Sequence, residues 1–190
     1  MKMAERVAAS RDSLTTAALE LMADDRPGKA SISEVCRRAN VTRPTFYQYF
    51  GSVDDLLGQV VAERLAAHQD AAFALDPEVS GTAFAESLER FLDLIWADRR
   101  LVGVMRSHAP DREVSRDKAI EAIASRILQR TKPDQEVTAE HTLSARFAAA
   151  GTVELLGRWL SSDDPGAERA TYAAALQHLT RVTMADWSAQ

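Results

Sequence analysis

Apolar positions recur at helical spacing along most of this chain, and no stretch alternates with the period of two that a strand requires. Val7, Leu14, Ala18, Leu21 and Met22 share one face of a first helix expected over about 5–24, closed by a turn at Arg26-Pro27-Gly28. Ile32, Val35, Cys36 and Ala39 share a face of a short helix, and Phe46 and Phe50 share a face of the next. Leu56, Leu57, Val60, Val61 and Leu65 carry a fourth helix toward His68; Asp54 and Asp55 sit in its first turn, where negative charge suits the helix dipole. Asp76-Pro77 interrupts the pattern, after which Phe84, Leu88, Phe91 and Ile95 repeat with Trp96 beside them. Ile120, Ile123 and Ile127 stripe a helix over 113–131 that stops before Lys132-Pro133. Two more helices are expected over 136–161 and 168–187, separated by a polar turn at 161–166. The pattern specifies an all-α chain.

The segment 31–50, SISEVCRRANVTRPTFYQYF, carries the most specific signals. Ser31 with Glu34 three residues on forms a capping-box pattern, in which each side chain satisfies a backbone N–H of the other. Asn40 suits the left-handed conformation of a helix exit, with Val41 as the apolar residue that pins the turn. Thr42 caps the following helix and Pro44 falls in its first turn, where a missing N–H is harmless. With Phe46 and Phe50 inward, Arg43, Thr45, Tyr47, Gln48 and Tyr49 face outward. A hairpin that only filled out a bundle would present Glu and Lys there. Tyrosine hydroxyls donate to phosphate oxygens, Arg43 suits a guanine edge or a phosphate, and Thr45 a base edge or a thymine methyl.

These residues resemble the DNA-binding domain of TetR-family transcriptional repressors over about 11–57. That domain's recognition helix ends in Tyr-x-x-Phe, here Tyr47-Gln48-Tyr49-Phe50. The run from Arg43 to Tyr47 is similar to actinobacterial members that include the ethionamide-resistance repressor. The resemblance implies a three-helix helix-turn-helix head over 1–52 and a helical ligand-binding and dimerisation body over 53–190, about nine helices in all. It also implies that Ser31, Ser33, Arg37, Thr42, Arg43, Pro44, Thr45, Tyr47, Gln48 and Tyr49 meet double-stranded DNA. This chain departs from the family pattern at Asn40, usually Gly, at Cys36, usually Ala, and at Tyr49, often His. Val53 stands where a DNA-contacting lysine is usual, which should cost about one unit of salt slope.

The expected homodimer uses the last two helices, through Ala148, Gly151 and Leu155 of one and Tyr172, Leu176 and Leu179 of the other, in a four-helix interface. Two recognition helices then enter successive major grooves ~34–36 Å apart, so the operator should be a near-palindrome. The body's expected task is to hold a small, largely apolar effector. Phe84, Leu88, Phe91, Ile95, Trp96, Met105, Phe147 and Trp159 supply the candidate lining, and Arg106, Ser107, His108 and His141 are polar groups able to orient a ligand. The alternative is a DNA-bound adaptor whose body takes a protein partner. An enclosed apolar cavity favours the sensor, and a filled body with an exposed apolar patch the adaptor.

Charge is divided along the chain. Eight Lys and Arg against six Asp and Glu over 1–52 give the head a surplus of two, which leaves minus seven for the rest of a chain whose net charge is −5. A surplus so small means that a few placed cations do the work, with Lys2, Arg6, Arg11, Arg37, Arg38 and Arg43 as candidates. The lone Cys36 permits no internal disulfide and is expected buried. No apolar run approaches ~18 residues and residues 1–10 lack a signal-peptide core, so a cytoplasmic protein without membrane contact is expected. No HExxH, GxSxG or glycine-rich phosphate loop occurs, and His68, His108, His141 and His178 lie far apart. Neither catalysis nor a metal or other cofactor is expected.

Overall fold

The computed structural model describes residues 3–23, 31–73, 81–106, 113–131 and 136–183, and within them nine α-helices form and no strand does. They are α1 (Met3–Ala23), α2 (Ile32–Ala39), α3 (Arg43–Tyr49), α4 (Val53–Phe73), α5 (Gly81–Ala97), α6 (Arg99–Arg106), α7 (Glu113–Thr131), α8 (Ala139–Leu160) and α9 (Pro165–Thr183). The turns expected at Arg26-Pro27-Gly28, Asp76-Pro77 and Lys132-Pro133 lie outside the described residues. So do Lys2, Ser107, His108 and Trp187, and the side chains of Arg6, Val7 and Met22.

Helix α4 organises the fold. Leu56, Leu57, Val60, Val61, Leu65, Ala72 and Phe73 are all buried, on more than one face, because α1, α5, α6 and α7 pack around it. Its start is clamped to α7. Ser115 Oγ donates to the Asp54 carbonyl at 2.9 Å and to the Asp54 carboxylate, and Lys118 pairs with Asp55. The two helices approach so closely that a Cβ at Gly58 would lie 2.7 Å from Ser115 Cα, and only glycine fits. Asp54 and Asp55 thus hold the first turn against a second helix as well as complementing its dipole.

Helix α6 is an element that periodicity alone does not reveal, since Trp96 to Arg99 reads as uninterrupted helix. The break depends on one side chain: Asp98 Oδ1 accepts the Leu101 N–H at 3.1 Å and caps a new helix that buries Leu101, Val102 and Val104. The same carboxylate accepts from Arg64 and hydrogen-bonds His68 Nε2 at 3.0 Å, which ties α6 to α4. Because α1 packs on α6, the head meets the body here as well as through α4.

Helices α8 and α9 form an antiparallel hairpin. Thr138 and His141 cap α8 reciprocally, so it starts at Ala139 and not at the expected residue 136. Pro165 and Gly166, expected in the turn, are the first residues of α9, where Pro suits the opening position and Asp164 accepts the Ala167 N–H at 3.0 Å. No helix among the described residues is long and apolar enough to cross a membrane.

Candidate functional site

The head's geometry follows from its caps. Ser31 Oγ accepts the Glu34 N–H at 3.2 Å and opens α2. The returning arm of the expected capping box is replaced, because Glu34 turns to Arg37 and accepts from its Nε at 3.0 Å. Asn40 adopts φ 54° and ψ 44°, the left-handed exit that its residue type allows, and its N–H and that of Val41 return to carbonyls of α2. Thr42 Oγ1 accepts the Thr45 N–H at 3.3 Å, and Pro44 lies in the first turn of α3. Phe46 and Phe50 are buried with ring centroids 5.8 Å apart and anchor α3 to the core.

This packing leaves α3 with one free face. Tyr47 is 58% exposed, its ring held edge-on by Phe46 at 5.7 Å, and Thr42, Arg43, Pro44 and Gln48 are exposed beside it. Tyr49 and Thr45 are half-buried, Tyr49 against Phe50. Ser33 lies opposite on α2, where its hydroxyl accepts from Arg43 Nη2 at 2.6 Å. Cys36 is buried behind them; burial pushes its thiol above the ordinary value, with Arg43 opposing.

Three of the four candidate cations with described side chains are already paired. Arg37 bonds Glu34, Arg38 bonds Glu20 at 2.9 Å, and Arg11 reaches Glu63 and Gln59 on α4. The hydrogen bond from Arg37 holds the Glu34 carboxyl below its ordinary value, with burial opposing, and Glu34 raises Arg37. Among the described side chains of α1 to α3, Arg43 is the cation with no carboxylate beside it. Val53 gives no compensating charge, since it is half-buried against the core.

The body contains a half-open cavity between α4, α5, α7, α8 and α9, about 520 Å³ counted with its mouth. Phe84, Leu88 and Phe91 line it as expected, joined by Phe73, Ile123 and Ile127, and by the polar Gln69, Arg130, Thr131, Thr152 and Thr180, none of which periodicity singled out. The other expected lining residues lie elsewhere. Ile95 and Trp159 are core, the Trp159 indole donating to the Pro165 carbonyl at 2.7 Å, and Trp96 and Met105 pack partly buried on that core. Phe147 is 67% exposed on α8 and does not line this cavity.

The expected dimer residues divide. Ala148 and Leu176 are buried within the subunit, and Gly151 is occupied by Leu179, whose side chain would stand 2.5 Å from an added Cβ. Gly151 and Leu179 thus close the α8–α9 hairpin itself; Leu155 and Tyr172 are half-buried. The free apolar side chains are others: Leu143 at 69% exposed, Phe147, and Val182 at 62%. The pairing of Gly151 with Leu179 in an antiparallel hairpin puts all three at one end.

Residues 14–60 match the family model TetR_N, bacterial regulatory proteins of the tetR family. No curated protein matches the chain. Its fold is similar to that of the fatty acid degradation regulator FadR from Bacillus halodurans, at 17% identity and a TM-score of 0.52, over 87% of this chain and 97% of that one. It is also similar to an assigned TetR-family transcriptional regulator from Mesorhizobium loti MAFF303099, at 15% identity and a TM-score of 0.54, over 95% of this chain and 97% of that one. The segment from residue 14 to residue 60, with the outward face of α3 at its centre, matches the model of the tetR-family regulatory domain, and the all-α fold around it is similar to that of those two proteins.

Proposed function

We propose that this chain is a cytoplasmic transcriptional repressor that grips a near-palindromic DNA operator as a homodimer and releases it when a small, largely apolar effector fills the body. Residues 1–52 are the DNA-binding unit and 53–190 the effector-binding and dimerisation unit. One observation carries the reading: α3 is anchored by Phe46 and Phe50 yet presents Arg43 without a carboxylate partner next to exposed Tyr47 and Gln48. That face supplies a cation for a phosphate or guanine edge and neutral donors for the backbone on either side. The TetR-family match over 14–60 supports it.

The cavity favours a small-molecule sensor over a protein-binding adaptor, and the exposed cluster of Leu143, Phe147 and Val182 is the surface on which two subunits meet. The switch works by population shift. An effector that binds one arrangement of α4 better than another moves the two recognition helices out of groove register, lowering DNA affinity by a coupling energy of ~1–3 kcal/mol.

Footprinting of the full-length protein on the DNA immediately upstream of its own gene tests the reading. A protected near-palindrome that survives excess competitor is expected. Protection lost to competitor at the same concentration as on random duplex would end it.

A further inference from the structure

The cavity's polar groups specify more than an apolar occupant. Gln69 is 6% exposed, lines the cavity, and its Oε1 has no hydrogen-bond partner among the described residues. A buried amide oxygen left so costs stability unless something donates to it. Thr131, Thr152 and Thr180 each spend their hydroxyl proton on a carbonyl of their own helix, to Ile127, Ala148 and Leu176 at 2.8, 2.8 and 3.0 Å. They present acceptor oxygens to the cavity and no donor.

Against these acceptors stands one cation. The Arg130 guanidinium carbon lies 4.7 Å over the Phe73 ring. Among the described residues Arg130 makes no ion pair, and Asp70, whose charge acts on it, is paired with Arg126 at 3.0 Å. Burial lowers the Arg130 pKa, Asp70 partly restores it, and Arg126 lowers it further. A partly buried guanidinium beside a second cation is a site short of one negative charge.

We infer that the cavity takes an apolar carboxylic acid bearing a hydroxyl or N–H donor, its carboxylate paired with Arg130, its donor bonded to Gln69 Oε1, and its apolar chain against Phe84, Leu88 and Phe91. This rests on the reading of the body as an effector-binding unit and gives that effector a charge and a polarity. A neutral apolar molecule fills the space but leaves both polar groups unanswered.

Calorimetric titration of the full chain at pH 7 with three probes, 3-hydroxyoctanoate, 1,3-octanediol and 1-octanol, tests it. The acid is expected to bind at least ~10-fold more tightly than the diol, which shares its chain but lacks the charge. Arg130→Met should abolish that preference, and Arg130→Lys should keep part of it. Equal affinity of the wild-type chain for acid and diol would overturn the assignment of charge and leave the cavity as an apolar sensor. Failure of all three probes to bind would remove the effector cavity itself.

Discussion

Arg43 donates to Ser33 Oγ across the exposed face of the helix-turn-helix, at 2.6 Å, so this carboxylate-free guanidinium is held by a neutral hydroxyl. A hydroxyl orients the group and leaves its charge available to DNA. Arg43→Ala should therefore weaken operator binding and lower the slope of log affinity against log salt by about one unit, with the dimer intact by sedimentation. An unchanged slope would place Arg43 away from the phosphates. Tyr47→Phe, which removes one exposed donor, should cost affinity by a smaller factor.

Asn40 holds the one left-handed non-glycine backbone among the described residues. Substitution by valine forces a β-branched side chain into φ 54° and should lower unfolding free energy by about 1–2 kcal/mol in urea titration. Asn40→Gly should stay within a few tenths of a kcal/mol of the parent. Equal stabilities of the two variants would show that the turn relaxes out of this conformation.

Burial raises the Asp98 carboxyl, but the Leu101 N–H, His68 and Arg64 outweigh it and hold the group below the ordinary carboxylate value. A depressed folded-state value contributes stability above the unfolded value of ~3.9, and that contribution is lost as pH falls through the folded value. Chemical denaturation between about pH 5 and 2 should show the loss. Asp98→Asn should flatten that limb and cost about 2 kcal/mol at pH 7. An equally steep limb in the variant would assign the acid sensitivity to other carboxylates.

Phe147→Lys should give a monomer in analytical ultracentrifugation with helix content unchanged, since the side chain is free within the subunit. Leu176→Ala should instead lower subunit stability by about 2–4 kcal/mol, because Leu176 is 1% exposed in the subunit core. A dimer that survives Phe147→Lys would move the interface to another face.

The head was legible in the sequence because its signals are local. Ser31, Asn40, Thr42 and Pro44 each act on backbone groups within four residues, so their type and spacing carry the meaning. The second half of the expected Ser31–Glu34 exchange failed for a reason equally local: Arg37, one turn on, offers Glu34 a charged partner. What was not legible depends on distant neighbours. Arg11 and Arg38 look like free cations until α4 and α1 bring Glu63 and Glu20 beside them. Phe147 shares the stripe of a core helix, yet periodicity does not say which face of α8 meets another helix. Nothing in the spacing singles out Gln69 and Arg130, and only the convergence of five helices makes them polar groups of the cavity.

In the switch proposed above, the close approach of α4 and α7 at Gly58 would act as the pivot of α4. At ~1.5 Å per residue, this contact stands about 8 Å from the helix's start at Val53 and about 22 Å from its far end at Phe73. A fulcrum so placed has a long arm in the cavity and a short one at the head. A displacement of the far end would be geared down about threefold at Val53, whereas an angle would pass undiminished. The recognition helices would thus be turned out of alignment more than pushed, and a tight two-groove fit is least forgiving of rotation.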